Sequence, residues 1–153
     1  MQKNKTYKRD GRSPIPVRES TSRLMSKNKS KNTKPEIVLR KEMWRKRIRG
    51  YRLHWKKAPG KPDIAFPGRR IAIFVNGCFW HRCPHCQPQL HKSNVDFWKN
   101  KFEKNVERDK NKREQLAQVG WETITIWECQ IKNNVIEQVE LIRQTLSRKE
   151  GQQ

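Results

Sequence analysis

The chain has 153 residues and a formal charge of +21, with 36 Lys or Arg against 15 Asp or Glu. Hydrophobic residues make up only 33 %, and no run approaches the length needed to cross a membrane, which argues against a membrane-embedded protein. Self-repulsion on this scale costs stability unless a polyanion offsets it, so the charge favours nucleic acid over a basic secreted protein or a membrane-surface binder.

Six Trp residues strengthen that inference, because aromatic faces can stack on bases or wedge between them. The first 30 residues contain no apolar segment of the secretory type, which points to an intracellular protein. In a reducing compartment the four cysteines are better suited to metal or catalysis than to disulfides. The length fits one domain of roughly 110–120 residues between polar ends.

In chain order, residues 1–20 read as a basic disordered arm, broken by Gly11, Pro14 and Pro16. Residues 21–147 read as a single domain and 148–153 as a frayed tail. Leu24 and Met25 could anchor a turn of helix. A helix follows from Thr33, which can cap, with Pro35 in the first turn and Glu36 in the capping-box position. Its expected apolar stripe is Ile37, Met43, Trp44 and Ile48, ending near Arg49 before Gly50. Tyr51–Trp55 alternates as a short strand, and Asp63–Phe66 with Ile71–Val75 makes a hairpin around Pro67-Gly68-Arg69. Residues 78–94 have no period and read as a loop. A long helix spans Val95–Val119 and stops at Gly120; Trp121–Trp127 alternates as a strand; a terminal helix carries Val135, Val139, Ile142 and Leu146. This order describes an α/β layer fold with a mixed sheet flanked by helices.

Between Pro59 and Cys86 the chain concentrates its chemistry, in PGKPDIAFPGRRIAIFVNGCFWHRCPHC. Cys78-x4-Cys83-x2-Cys86 and the distant Cys129 supply four thiols, the number a closed structural Zn²⁺ site requires. Three of these thiols with His81 or His85 form the competing ligand set, and unlinked buried thiols are the plain alternative. Asp63 after Pro62 is an ordinary turn residue, yet a carboxylate on such a hairpin can also hold Mg²⁺ for phosphodiester chemistry. Glu36 is accounted for by its capping box and could also serve as a second acid. His81, if free of zinc, could take a proton from water near neutral pH. Phe79 and Trp80 could be core, but two large aromatics beside cysteines in a loop suit a base-step wedge better. Helical spacing puts Trp98, Asn105 and Asp109 on one face of the long helix.

The blocks PGKPDIAFP, IFVNGCFWHR, FWKNKFEKNVERD and GWETITIWEC, in this order from about Ser22 to Cys129, resemble the signature of the very short patch repair (Vsr) DNA mismatch endonucleases. The resemblance implies a restriction-endonuclease-like core and a structural zinc. It implies a bacterial, cytoplasmic monomer held at the nucleoid through DNA. It also implies Mg²⁺-dependent nicking of one strand, 5′ to the T of T:G mismatches left by deamination of 5-methylcytosine, and a functional link to a DNA cytosine-5 methyltransferase. By the same resemblance Asp63 and the main-chain carbonyl of Val75 bind catalytic Mg²⁺, and His81 activates water. Glu36 and Asp109 hold waters around the metal. Phe79, Trp80 and Trp98 enter the duplex beside the mismatch, and Met25 and Asn105 lie near the mismatched pair.

Two departures stand out. Many Vsr proteins have a histidine where Cys83 stands, and their last loop cysteine comes one residue before the position of Cys86; the cysteine here makes an all-thiol site natural. Phe74 and Asn76 occupy the positions of the second acid and the lysine of ordinary restriction-like nucleases, and a histidine often stands in Vsr proteins where this chain has Asn76. Alternative functions are a zinc-stabilised nucleic-acid-binding module without catalysis and a Vsr-like nicking nuclease of a restriction–modification or defence system.

Overall fold

The computed structural model describes Ser20 and residues 27–151; Met25 and most of the basic arm lie outside the described residues. Strand β3 (Ile71–Asn76) is the centre of the fold, and all six of its residues are buried. Its run IAIFVN carries no polar side chain before Asn76, the pattern of a strand covered on both faces. β2 (Ile64–Phe66) pairs antiparallel with β3 across a 3₁₀ turn at Pro67–Arg69, which Arg70 closes in the left-handed region. β1 (Arg52–Leu53) adds antiparallel to β2, and β4 (Glu122–Trp127) pairs parallel with β3. The result is a four-stranded mixed sheet in the order β1-β2-β3-β4.

A parallel pair cannot be joined by a tight turn. Here the connection runs through the 77–94 loop and the 24-residue helix α2 (Val95–Gln118). Gly120, at φ +77°, lets the chain leave α2 and enter β4. Helix α1 (Lys34–Arg45) precedes the sheet, and helix α3 (Glu128–Glu150) follows β4 directly.

Alternation along β3 sorts the core into two layers. Ile71, Ile73 and Val75 join Ile64, Phe66, Ile124 and Ile126 against Leu39 and Met43 of α1 and Ile131, Val139, Ile142 and Leu146 of α3. Ala72 and Phe74 face the other way, towards Leu116 of α2, Ala58, Trp55 and Trp121. Helices therefore cover both faces of a mixed sheet, as the sequence predicts. No helix among the described residues is long and apolar enough to cross a membrane.

Several elements differ from expectation in detail. Helix α1 stops at Arg45, and its buried line is Glu36, Leu39, Glu42 and Met43. Ile37 and Trp44 lie outside it, 37 % and 61 % exposed. The expected stripe fails because Leu39 and Met43, four residues apart, already fill the contact with the sheet and α3. Trp44 is capped instead by the Arg49 guanidinium, 3.4 Å from its ring centroid. Ile48 is still buried, but it gets there through a turn in which Arg47 has φ +59°. Cys129 sits in the first turn of α3, two residues past the end of β4. The helix expected from about Val135 is the second part of α3. Asn134 (φ −158°, ψ 86°) breaks the helix, and its Oδ1 accepts from the Glu137 N–H at 3.2 Å, starting it again. The helix then continues to Glu150.

Candidate active site and metal centres

Asp63 ends the loop that leads into β2. The β1–β2 register pairs Leu53 with Ile64, so one step further His54 stands opposite Asp63, and the His54 N–H donates to the Asp63 carbonyl at 3.0 Å. Paired residues point to the same side of a sheet, and the His54 ring indeed lies 3.9 Å from Asp63 Oδ1 through Nδ1. Through Nε2 it lies 3.7 Å from Glu36 Oε2. Glu36 reaches this point because its capping box is formed. The Thr33 N–H donates to Glu36 Oε1 at 3.3 Å, and the Glu36 N–H donates to Thr33 Oγ1 at 3.5 Å.

One ligand atom each from Glu36, His54 and Asp63 fits within 4.8 Å of the others. Asp63 Oδ2 also accepts from the Val75 N–H at 2.8 Å, which sets the carboxylate beside the Val75 backbone on β3. Burial pushes the Asp63 carboxyl up to about 6; the Val75 N–H opposes this, the Glu36 charge adds to it, and His54 and Lys112 pull the other way. A buried and a half-buried carboxylate this close repel, and a divalent cation would relieve both. The two carboxylates fit Mg²⁺, which is commonly held by one or two carboxylates with water completing its shell, whereas the His54 imidazole is not a donor that Mg²⁺ favours.

A second pair lies across the 77–94 loop. His81 Nδ1 is bonded to Asp109 Oδ2 from the middle of α2. With Nδ1–H donating to a carboxylate, a neutral His81 ring keeps its lone pair on Nε2. The other oxygen of Asp109 faces Lys112 Nζ at 3.6 Å. Burial alone would raise the Asp109 carboxyl, but His81 and Lys112 outweigh it and hold it below the ordinary carboxylate value. Along the same face of α2, Asn105 Nδ2 donates to the Trp80 carbonyl at 2.9 Å. Trp98, Asn105 and Asp109 thus share a face, as helical spacing predicts, and that face carries the loop.

Phe79 and Trp80, read from the sequence as core or, better, a base-step wedge, are half-buried. The Phe79 ring meets Trp80, Trp98, Phe102 and His91 edge-on at 5.0–6.0 Å between centroids. Edge-on packing satisfies the ring quadrupoles, and buried Trp98 and Phe102 of α2 give the loop a small core of its own. Lys101 Nζ lies 5.5 Å from both the Trp80 and Trp98 centroids, adding a cation to this aromatic edge.

The four thiols converge. The Sγ atoms of Cys78, Cys83, Cys86 and Cys129 all lie within 4.8 Å of one another, with Cys83 and Cys129 3.7 Å apart. The Cys129 N–H donates to Cys78 Sγ at 3.3 Å. Burial raises the Cys78 and Cys129 thiols, whereas at Cys83 the backbone N–H groups of Cys86 and His85, with the neighbouring thiols, outweigh it and favour the thiolate. Four soft donors around one point, with N–H groups directed at sulfur, fit a tetrahedral Zn²⁺. His85 is exposed and outside the cluster, and His81 is committed to Asp109.

Sequence reasoning missed His54 and Lys112. For His54 the signal was present: pairing YRLH antiparallel with DIAF sets it against Asp63. For Lys112 the signal was its spacing of three from Asp109, hidden among 36 basic residues.

Comparison with known proteins points in one direction. The sequence profile of the family described as DNA mismatch endonuclease Vsr matches residues 15–87. A type II nicking enzyme of Xanthomonas oryzae is 44 % identical over 110 residues, covering 72 % of this chain and 80 % of the relative. Another, from Neisseria meningitidis, is 40 % identical over 113 residues, covering 74 % and 80 %. The DNA mismatch endonuclease Vsr of Escherichia coli is 36 % identical over 83 residues, covering 54 % and 53 %.

Proposed function

Because the chain belongs to the Vsr family of DNA mismatch endonucleases, we propose that it nicks one strand of double-stranded DNA 5′ to the T of a T:G mismatch produced by deamination of 5-methylcytosine. The fold is proposed to be the restriction-endonuclease-like core, with Mg²⁺ at Asp63 and the Val75 carbonyl and Zn²⁺ at the four cysteines. The observation that carries the reading is the half-buried Asp63 carboxylate, anchored by the Val75 N–H and drawn together with Glu36 and His54. The relatives named as type II nicking enzymes favour a methyltransferase of a restriction–modification system as the source of the methylated base.

The residues divide the work. Asp63 and the Val75 carbonyl would hold the divalent ion, with Glu36 holding waters around it; when bound, the ion would supply positive charge at the phosphate and favour ionisation of water. His81 Nε2 accepts the proton of the attacking water, while Asp109 fixes the ring through Nδ1 and stabilises the imidazolium. Phe79, Trp80 and Trp98 wedge the duplex beside the mismatch, with Asn105 and Met25 near the mismatched pair. The thiol knot pins the loop that carries His81 to the first turn of α3.

The test is a nicking assay with Mg²⁺ on paired labelled duplexes, one bearing T:G in a methyltransferase target and its twin bearing C:G. A single nick beside T in the mismatched duplex alone is expected. Equal cutting of both would remove mismatch specificity. Binding without cutting, across a panel of contexts, would leave a nucleic-acid-binding module. Asp63→Ala is expected to lower the nicking rate by at least ~10³-fold while the protein still binds DNA.

A further inference from the structure

We propose that Lys112 is a further catalytic residue, one that contacts the scissile phosphate and stabilises the charge gathering on it. The proposal rests on the nuclease reading above and adds to it a cation from α2. Three surroundings fix the position of this side chain. A Cβ built on Gly60 would lie 2.9 Å from Lys112 Cβ and Cγ and 3.2 Å from Cδ, so the stem fills the space that the absent side chain leaves. Gly60 itself has φ +72°, a conformation in which only glycine is unstrained, and the Pro59-Gly60 turn can therefore close over the lysine. On another side Nζ lies 5.7 Å from the Phe74 ring centroid. At the tip, Nζ faces Asp109 Oδ1 at 3.6 Å.

The same ammonium acts electrostatically on Asp63, from the other half of the site. Lys112 thus pairs with the carboxylate that holds His81 and also acts through its charge on the carboxylate proposed to hold the metal. An ammonium has three donors, and one partner at Asp109 leaves others for a phosphate oxygen. The side chain is 28 % exposed, open enough for a ligand to reach. Lysine ordinarily loses much rotamer freedom when it binds. Here the stem is already confined, so a contact with the developing negative charge carries little further ordering cost.

The experiment uses the full chain and two duplexes that differ only at the scissile position, one with the phosphodiester and one with an uncharged methylphosphonate. Binding is measured without added Mg²⁺, and single-turnover nicking of the phosphodiester duplex is measured with it. The wild-type protein is expected to bind the methylphosphonate duplex about tenfold more weakly, and Lys112→Met to bind the two within about twofold. The Met variant should also lose about 10²-fold in nicking rate, and Lys112→Arg should recover part of both effects. Should Lys112→Met lose its cooperative thermal transition, Lys112→Gln takes the same measurements. A variant that discriminates between the duplexes as the wild type does, or nicks at the wild-type rate, overturns the role of Lys112 and leaves the nuclease standing. A wild-type protein that nicks no duplex removes both.

Discussion

The two faces of the sheet are built by different means. Against α1 and α3, Ile, Leu, Val, Phe and Met side chains form one continuous apolar layer, fourteen buried residues among those described. Against α2 the buried layer shrinks to Ala58, Ala72, Phe74 and Leu116. What holds the second face is a collection of devices: the His81–Asp109 bond, the aromatic cluster around Phe79, and the convergence of four cysteines. The first face stabilises the fold by burial, at about 25 cal/mol for each Å² removed from water. The second face keeps polar and titratable groups accessible to a ligand, and it needs cross-links because it has little burial to rely on. Glu36, His54 and Asp63 lie at the margin, two of them delivered by the apolar half of the structure through α1 and β2.

The largest effect expected from breaking this contrast comes from the thiol knot. Cys129→Ser should abolish stoichiometric zinc and destabilise the protein by more than about 4 kcal/mol, because metal binding is folding free energy on the weakly packed face. Zinc content by atomic absorption and urea unfolding would measure both. Retention of full zinc and full stability would mean that the four thiols are not the site.

Ile73→Ala strikes the other face. It should cost about 2–5 kcal/mol through lost burial and a cavity, yet leave zinc content unchanged. Zinc loss in this variant would show that the faces are not independent.

Asp63→Asn should act in the opposite direction. At pH 8 the carboxylate is charged, and burial, aided by the Glu36 charge, disfavours that charge in the folded state, lifting its pKa to about 6. Removing it should stabilise the Mg²⁺-free protein by about 1–3 kcal/mol while nicking is lost. The check is thermal unfolding of both proteins without added Mg²⁺, and an unchanged or lower midpoint would contradict it.

The smallest effect belongs to the helix start that delivers Glu36. Thr33→Ala should cost about 1 kcal/mol, read by urea unfolding, and should also slow nicking, because the capping box orients the Glu36 carboxylate. Slower nicking with no loss of stability would place the role of Thr33 in orientation alone.

Much of this was legible before the structure because its cause is local. Pro35 and the Thr33–Glu36 box start α1, the run Ile71–Val75 makes a central strand, Gly120 ends α2, and alternation marks β4. Asp63, His81 and the cysteines stood out in the sequence as candidates too, since their types and spacing suit metal and proton chemistry. The stripe on α1 was misread. Ile37, Leu39, Met43, Trp44 and Ile48 offer more than one apolar face, and only contact with α3 and the sheet selects Leu39 and Met43. For Phe79 and Trp80 the sequence favours a base-step wedge over a place in the core, because nothing local reveals that Trp98 and Phe102 will meet Phe79.

By itself the sequence determined the elements, their mixed α/β class, the polyanion-seeking charge and the residue types available for metal and proton chemistry. Each of these follows from interactions within a few residues or from composition alone. Only the tertiary structure decided which groups act together. The strand register sets His54 against Asp63, the α2 crossover brings Asp109 to His81, and the turn at Gly60 closes over Lys112. Those pairings span from 9 to 52 positions of sequence. Chain folding across such distances, rather than local propensity, fixes them.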